Sequence, residues 1–229
     1  ITNRLVGSEM CIRDSLLNKH NAPIRFVSPQ PNMPNLIGSI NGPSEGRHLV
    51  LNGHIDVFPV SENAKNEGWI TPPWSGKIIN NKIYGRGSTD MKCGTSASIW
   101  TYIILNYFKN SIRGKLTLTC VSDEETFGPW GARWLMENEP DVLGDCCLNG
   151  EPSSPFTIRY AEKGLLWLTF KIQTDGSHGA YTHLSKSATR IAANLIKRLE
   201  SLEDLELEIS EDLLEAQKSA ASHFDKGMG

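Results

Sequence analysis

The sequence has few cysteines, and their spacing excludes two kinds of site. The 229 residues contain five cysteines, which are Cys11, Cys93, Cys120, Cys146 and Cys147. Their number is odd, two are adjacent, and none forms a CxxC pair, so the pattern favours neither a disulfide framework nor a thiolate zinc site. A reducing, cytoplasmic environment fits these cysteines best.

The chain also lacks blocks of like charge and long apolar runs. The chain has 23 basic and 26 acidic residues, a formal net charge of -3, and no block of one sign. This balance does not favour nucleic acid or an anionic membrane surface as a partner. No apolar run approaches the roughly 20 residues that span a bilayer, and we see no secretory signal. We therefore expect a cytoplasmic globular protein that binds neither nucleic acid nor membrane.

The first residues differ in character from the rest. The segment Leu5–Ser15 resembles a translated sequencing-adapter scar. We therefore treat residues 1–15 as non-native or disordered and exclude them from fold reasoning. The alternative is an ordinary polar N-terminal segment.

From residue 24 onward, short apolar runs alternate with longer helical patterns. Strands are predicted over His48–Asn52, Lys115–Val121 and Asp145–Asn149, and helices over Thr95–Lys109 and Gly131–Asn138. Strands that alternate with helices predict an α/β fold. We expect a mixed, mostly parallel sheet with helices on both faces.

The pattern changes in the last third of the chain. Leu165–Gln173 predicts a strand, and Ser187–Leu199 predicts an amphipathic helix. The chain is expected to contain the first half of a catalytic, metal-binding domain over residues 16–160. A partial α+β lid or dimerisation domain is expected over residues 161–229.

Histidine and carboxylate side chains follow the predicted strands of the first domain, at the points where these strands end. They are His54, Asp56, Asp90, Glu124, Glu125 and Glu151. In an open α/β sheet, the loops beyond the carboxyl ends of the strands converge on one crevice. Carboxylates gathered there would repel one another unless cations neutralise them. Two divalent ions about 3.5–4 Å apart, sharing a carboxylate, would do so.

The donor set suits zinc, which accepts imidazole and carboxylate ligands and keeps a position open for water in catalytic sites. Asp56 lies two residues beyond His54, where it could accept the second imidazole N–H and fix the tautomer. Of the adjacent Glu124 and Glu125, one could bind metal while the other acts as a general base. Each signal is weak alone, and only their conjunction and order point to this chemistry.

Four segments in fixed order resemble the M20 metallopeptidase family. They read LNGHIDVFPV, YGRGSTDMKCG, VSDEETFGPWGARWL and NGEPSS. The family includes acetylornithine deacetylase, succinyl-diaminopimelate desuccinylase, aminoacylase and carboxypeptidase G. The resemblance covers residues 24–200 and implies a zinc-peptidase-like catalytic domain.

The resemblance also implies a role for each residue of the set. His54 and Glu151 would bind one metal ion, and Glu125 would bind the other. Asp90 would bridge the two ions. Glu124 would be the general base that deprotonates the attacking water, and Asp56 would be the partner of His54.

A second motif, GSHGAYTH over Gly176–His183, is similar to the lid-domain motif of the family. In that motif the first histidine reaches the active site of a partner subunit and stabilises the oxyanion. The resemblance therefore implies a catalytic role for His178 within a homodimer formed through the lid, while His183 orders the loop. For both histidines, a purely local role in the turn stays open.

The resemblance implies a hydrolase that cleaves linear amide bonds in N-acyl amino acids or small peptides. It would use two divalent ions, Zn²⁺ first and Co²⁺ or Mn²⁺ as alternatives. Other readings stay open: a dipeptidase or carboxypeptidase of the same family, an aminopeptidase of the related clan, or a non-catalytic binding protein. Family members carry a further histidine ligand near the C-terminus, and the setting of His223 does not match it. We therefore expect an N-terminal fragment with little activity and an incomplete second metal site.

Overall fold

The computed structural model describes residues 15–63, 68–153, 158–160, 162, 164–206 and 209–221. The chain divides into two compact units, Ile1–Ala161 and Glu162–Gly229. The interpretation of residues 1–14 and of His223 lies outside the described residues.

The first unit is built on a five-stranded mixed sheet. The strands in chain order are β1 (Ile24–Val27), β2 (Asn35–Asn41), β3 (His48–His54), β4 (Lys77–Ile79), β5 (Lys82–Tyr84), β6 (Lys115–Val121) and β7 (Cys146–Asn149). The sheet has the order β1-β2-β6-β3-β7, and β4 and β5 form a separate hairpin. Strand β3 runs parallel to both β6 and β7, whereas β2 pairs antiparallel with β1 and with β6.

Helices cover both faces of this sheet. Helix α1 (Gly94–Tyr107) packs against one face, and the short helix α2 (Ala132–Asn138) packs against the other. Neighbouring residues of β2 face opposite sides of the sheet. Leu36 packs in the cluster on the α1 side, and Ile37 packs in the cluster on the α2 side. Successive strand residues point to opposite faces, so a strand covered on both sides buries apolar residues on both of its faces. The predicted fold class is confirmed.

Helix α1 contributes three buried side chains to the core. Ile99, Tyr102 and Ile103 are buried against apolar residues of the sheet. The Tyr102 hydroxyl donates to the Pro23 carbonyl at 2.7 Å, which satisfies the polar end of a buried ring. The ring lies directly over Gly38, where a Cβ would stand 2.7 Å from it. Glycine in the middle of β2 therefore makes room for the tyrosine.

The described part of the second unit contains helices α3 (Ala188–Glu200) and α4 (Glu211–Ala221). The Ser187 side chain caps α3 by accepting the Arg190 N–H at 3.3 Å, as expected for serine at a helix start. No helix among the described residues is long and apolar enough to cross a membrane.

The strand predicted over Leu165–Gln173 is wrong. The segment has no helix or strand assignment, and no strand is present among the described residues of the second unit. Its apolar side chains are largely exposed, with Trp167 at 84%. A strand is stable only when a neighbour takes up its backbone hydrogen bonds, and none of the described residues of this unit pairs with the segment.

Candidate metal centre

Three parallel strands bring His54, Glu124 and Glu151 to one edge of the sheet, and Asp90 comes from the segment that leads into helix α1. His54 is the last residue of β3 and is in register with Val121 at the end of β6. Strand β7 ends two residues before Glu151. Because these strands run in one direction, the segments that follow them leave from the same edge.

His54 lies at the centre of this edge and is only 2% exposed. Its Nε2 is 3.0 Å from Asp90 Oδ1, 3.5 Å from Glu151 Oε2 and 3.6 Å from Glu124 Oε2. One potential ligand atom from each of His54, Asp90 and Glu151 lies within 4.8 Å of the others. The structure thus brings three of the four predicted metal ligands together, with Glu124 beside them.

The other imidazole nitrogen faces Asp56. His54 Nδ1 is 3.0 Å from the Asp56 backbone carbonyl and 3.5 Å from its Oδ1. The sequence predicted the carboxylate as the acceptor, whereas the backbone carbonyl is closer. Both neighbours of Nδ1 are acceptors, so this nitrogen carries the proton.

This proton placement tests whether the site suits a cation. In the neutral ring with its proton on Nδ1, the lone pair of His54 Nε2 would point toward the oxygens of Asp90, Glu124 and Glu151. Lone pairs and carboxylates repel one another unless a proton or a metal ion lies between them. Imidazole nitrogen with carboxylate oxygens is a donor set that zinc accepts. The residues present therefore fit a divalent ion.

The pKa values show the excess of negative charge. Burial by itself would lower the pKa of His54, but Asp56, Glu124 and Glu151 outweigh it and raise the pKa to about 9. Burial and the neighbouring Asp90 and Glu124 raise the pKa of Glu151 to about 7, against the opposing effect of His54. A divalent cation would relieve this repulsion by replacing protons.

Glu125 is oriented differently from the other predicted ligands. Its backbone N–H donates to Asp56 Oδ2 at 2.9 Å, and its Oε1 accepts the Phe58 N–H at 3.2 Å. Burial and the charge of Asp90 raise the pKa of its carboxyl. Glu125 is not one of the three clustered ligands, and its carboxylate is hydrogen-bonded to the Phe58 N–H instead.

The turn that presents the glutamates is organised by Asp123, which the sequence analysis did not single out. Its carboxylate accepts the Thr126 hydroxyl at 2.5 Å and the Trp130 N–H at 3.3 Å, and its carbonyl accepts the Gly128 N–H at 3.0 Å. A Cβ at Gly128 would collide with this carboxylate. An aspartate followed three residues later by threonine is a turn signal that could have identified it.

Two glycines allow the start of α1 to touch the end of β7. A Cβ on Gly94 would stand 1.8 Å from the Gly150 carbonyl oxygen. Helix α1 also holds β3, since the Thr95 hydroxyl donates to the His54 carbonyl at 2.8 Å. The hydroxyl contact fixes the backbone at His54, and the glycine contact restrains the backbone next to Glu151. Sequence reasoning missed them, although Gly94 is the last residue of one quoted motif and Gly150 is the second residue of another.

His178 belongs to the second unit. Its Nδ1 accepts the Ala180 N–H at 3.2 Å, and its ring centroid is 5.7 Å from that of Tyr181. Tyr181 also lies edge-on to His183, with centroids 6.2 Å apart. These contacts describe an exposed local turn. The role of His178 in a partner subunit stays a prediction.

Sequence comparison identifies one peptidase family and a group of related enzymes. The sequence model of peptidase family M20/M25/M40 matches residues 50–223. The chain is 33% identical over 160 residues to succinyl-diaminopimelate desuccinylase 1 of Alteromonas mediterranea, covering 66% of this chain and 40% of that protein. It is 30% identical over 202 residues to succinyl-diaminopimelate desuccinylase of Cereibacter sphaeroides, covering 85% of this chain and 51% of that protein. The chain thus spans about half or less of the length of these relatives.

Solved structures share the fold. Human carnosine dipeptidase 1 aligns with a TM-score of 0.53 and 22% identity, covering 64% of this chain and 33% of that one. A putative aminohydrolase from methicillin-resistant Staphylococcus aureus aligns with a TM-score of 0.53 and 16% identity, covering 88% of this chain and 52% of that one.

Proposed function

The chain belongs to peptidase family M20/M25/M40, and from this we propose that it carries the metal site of a hydrolase that cleaves amide bonds in N-acyl amino acids or small peptides. The observation that carries the proposal is the setting of His54. Its Nδ1 faces acceptors, while its Nε2 lies 3.0–3.6 Å from oxygens of three separate carboxylates. Several carboxylates around one imidazole nitrogen carry negative charge, so this group of atoms favours binding a cation over binding a neutral molecule.

We propose an N-succinyl or another N-acyl amino acid, rather than a dipeptide, as the substrate. The curated relatives at 33% and 30% identity are both named succinyl-diaminopimelate desuccinylases. The dipeptidase among the solved structures is only 22% identical, a level at which likeness supports the fold alone.

We propose two divalent ions, Zn²⁺ in the first instance. His54 and Glu151 would hold one, Glu125 would hold the other, and Asp90 would bridge them. When bound, the ions would polarise the amide carbonyl and lower the pKa of water. Asp56 would keep the proton on His54 Nδ1, so that Nε2 stays available as a ligand.

Glu124 is the proposed general base. Its Oε2 is 3.6 Å from His54 Nε2, and its side chain is half exposed, so the carboxylate lies at the cluster and is accessible to a substrate. It would take a proton from the attacking water as the oxygen bonds to the carbonyl carbon. It would return that proton to the amide nitrogen as the C–N bond breaks, giving a carboxylic acid and an amine.

His178 is proposed to stabilise the oxyanion from a partner subunit of a homodimer, where an imidazole N–H would donate to the developing charge. The support is the motif in Gly176–His183 and the exposure of its ring.

The test measures zinc binding and hydrolysis together. Purified chain is titrated with Zn²⁺ against a chromogenic chelator, and N-succinyl amino acid, N-acetyl amino acid and dipeptide hydrolysis are followed. We expect His54→Asn and Glu151→Gln to weaken zinc binding. Glu139→Gln is the matched control, because that carboxylate pairs with Arg25 on the edge strand β1. Unchanged zinc affinity in both site variants would remove the metal centre from the proposal.

A further inference from the structure

A row of polar side chains crosses three strands and ends on the backbone of Glu151. The Glu151 N–H donates to Asn149 Oδ1 at 2.7 Å, and Asn149 Nδ2 donates to Asn52 Oδ1 at 2.7 Å. Asn52 Nδ2 then donates to Thr119 Oγ1 at 2.9 Å, and the Thr119 hydroxyl donates to the Leu51 carbonyl at 3.4 Å. We call Thr119, Asn52 and Asn149 the polar relay.

The relay follows the register of the sheet. Asn52 in β3 is directly opposite Thr119 in β6 and directly opposite Asn149 in β7. Aligned residues of neighbouring strands lie on the same face and within reach of one another. Thr119 is buried, Asn52 is half-buried and Asn149 is exposed. The relay therefore connects the interior of the sheet to the edge that carries the candidate metal ligands.

All hydrogen bonds of the relay point in one direction. The Glu151 N–H can only donate and the Leu51 carbonyl can only accept, so the two ends fix the orientation of both amides. Turning either amide over would place donor against donor or acceptor against acceptor. Hydrogen bonds in such a head-to-tail chain strengthen one another. The relay is also uncharged, so it adds no carboxylate to an edge that already holds an excess of them.

We propose that the polar relay positions Glu151. It fixes the backbone at the point where the chain leaves β7, and thereby holds the Glu151 carboxylate 3.5 Å from His54 Nε2. The close contact of Gly150 with Gly94 restrains the same backbone from the side of α1. The inference rests on the proposed function only in treating Glu151 as a metal ligand.

The first test is made on metal-free protein and does not involve the proposed function. Backbone amide exchange at Glu151 is measured by NMR in the wild type and in relay variants. Asn149→Ala removes the acceptor itself, and we expect exchange to be roughly tenfold faster, the scale of one lost hydrogen bond. Thr119→Val removes only the far end of the relay, and we expect a smaller acceleration, roughly twofold.

Two matched variants separate positioning from general stability. Thr119→Ser keeps the hydroxyl and should restore slow exchange. Thr117→Val makes the same chemical change two residues away in β6, where the hydroxyl contacts His48 Nε2 at 2.7 Å instead of the relay. It should leave exchange at Glu151 unchanged. Unaltered exchange in both Asn149→Ala and Thr119→Val would overturn the relay.

The second test measures the dissociation constant for Zn²⁺ alone. We expect Asn149→Ala to raise it roughly tenfold, the lower end of the range for loss of a group that orients a ligand. Thr119→Ser and Thr117→Val should match the wild type. If Glu151→Gln weakens zinc binding while Asn149→Ala does not, the relay is overturned and the proposed function stands. If Glu151→Gln has no effect on zinc while the relay variants still accelerate exchange, the ligand assignment fails and the positioning of the Glu151 backbone stands.

Discussion

His54 and Asp90 are 36 residues apart in the chain, yet the imidazole Nε2 lies 3.0 Å from Asp90 Oδ1. The opposite nitrogen, Nδ1, lies 3.0 Å from the carbonyl oxygen of Asp56. A neutral imidazole has a single N–H and cannot donate to both oxygens. The ring must therefore be protonated, or it must share Nε2 with a cation.

The first prediction concerns the pH dependence of zinc binding. Zinc must displace the proton that His54 holds below about pH 9 and the proton that Glu151 holds below about pH 7. Zinc affinity should therefore rise with pH. We expect about one proton to be released for each ion bound between pH 7 and 9, and about two below pH 7. Calorimetry in buffers of different ionisation enthalpy counts the protons. An affinity independent of pH from 5 to 9 would contradict the assignment of these two ligands.

The second prediction concerns the metal-free protein. The pKa of His54 is raised from 6.5 to about 9 on folding, so its contribution to stability is complete below pH 6.5 and is lost as pH rises through 9. The loss is on the order of 3 kcal/mol, from about 1.4 kcal/mol for each pKa unit. Thermal unfolding with a chelator present should show Tm falling over this range. In His54→Asn the fall should be much smaller, and an equal fall in this variant would assign the effect to another group.

The third prediction concerns the proposed base. In protein that shows the proposed hydrolase activity, Glu124→Gln should keep zinc bound and lower kcat by a factor on the order of 10² to 10⁴, the scale of lost general-base catalysis. The amide keeps the size of the side chain but cannot take a proton. Glu137→Gln, a change on the exposed side of helix α2, is the control. Near-normal turnover by a zinc-loaded Glu124→Gln enzyme would remove Glu124 from the mechanism.

The fourth prediction concerns Asp56, whose pKa is held low, against the effect of burial, by His54 and the backbone N–H groups of Glu125 and Glu124. Asp56→Asn replaces the charge with an amide, while the backbone carbonyl that faces His54 is kept. We expect zinc affinity to fall about 10- to 100-fold, the usual cost of losing such a partner. Calorimetry measures the zinc affinity. Asp123→Asn perturbs the turn that presents the glutamates, so its effect on zinc affinity distinguishes loss of that turn from loss of the Asp56 charge. Full affinity in Asp56→Asn would show that the backbone carbonyl alone orients the imidazole.

The fifth prediction concerns the contact between α1 and β7. Gly94→Ala should destabilise the fold and weaken zinc binding, because its Cβ would overlap the Gly150 carbonyl and push apart the segments that carry Asp90 and Glu151. Gly164→Ala is the control, since a Cβ there meets nothing within 4 Å. Chemical denaturation and zinc titration measure both effects. Equal stability of the two variants would show that the contact can relax at little cost.

The sequence by itself determined the α/β class and predicted which residues meet at the candidate site. Parallel strands place their carboxyl ends at one edge, so the order of His54, Glu124 and Glu151 after apolar runs was enough to predict that they meet. The same reasoning failed at Leu165–Gln173, because strand propensity describes a single segment while a strand needs a partner.

Only the tertiary structure decided how the side chains are used. The closest acceptor of His54 Nδ1 is a carbonyl rather than a carboxylate, and the carboxylate of Glu125 is held by the Phe58 N–H. The polar relay depends on the register of Asn52 with Thr119 and Asn149. Register, rotamer and hydrogen-bond direction are fixed by contacts between residues distant in sequence, and a pattern along one segment carries no information about them.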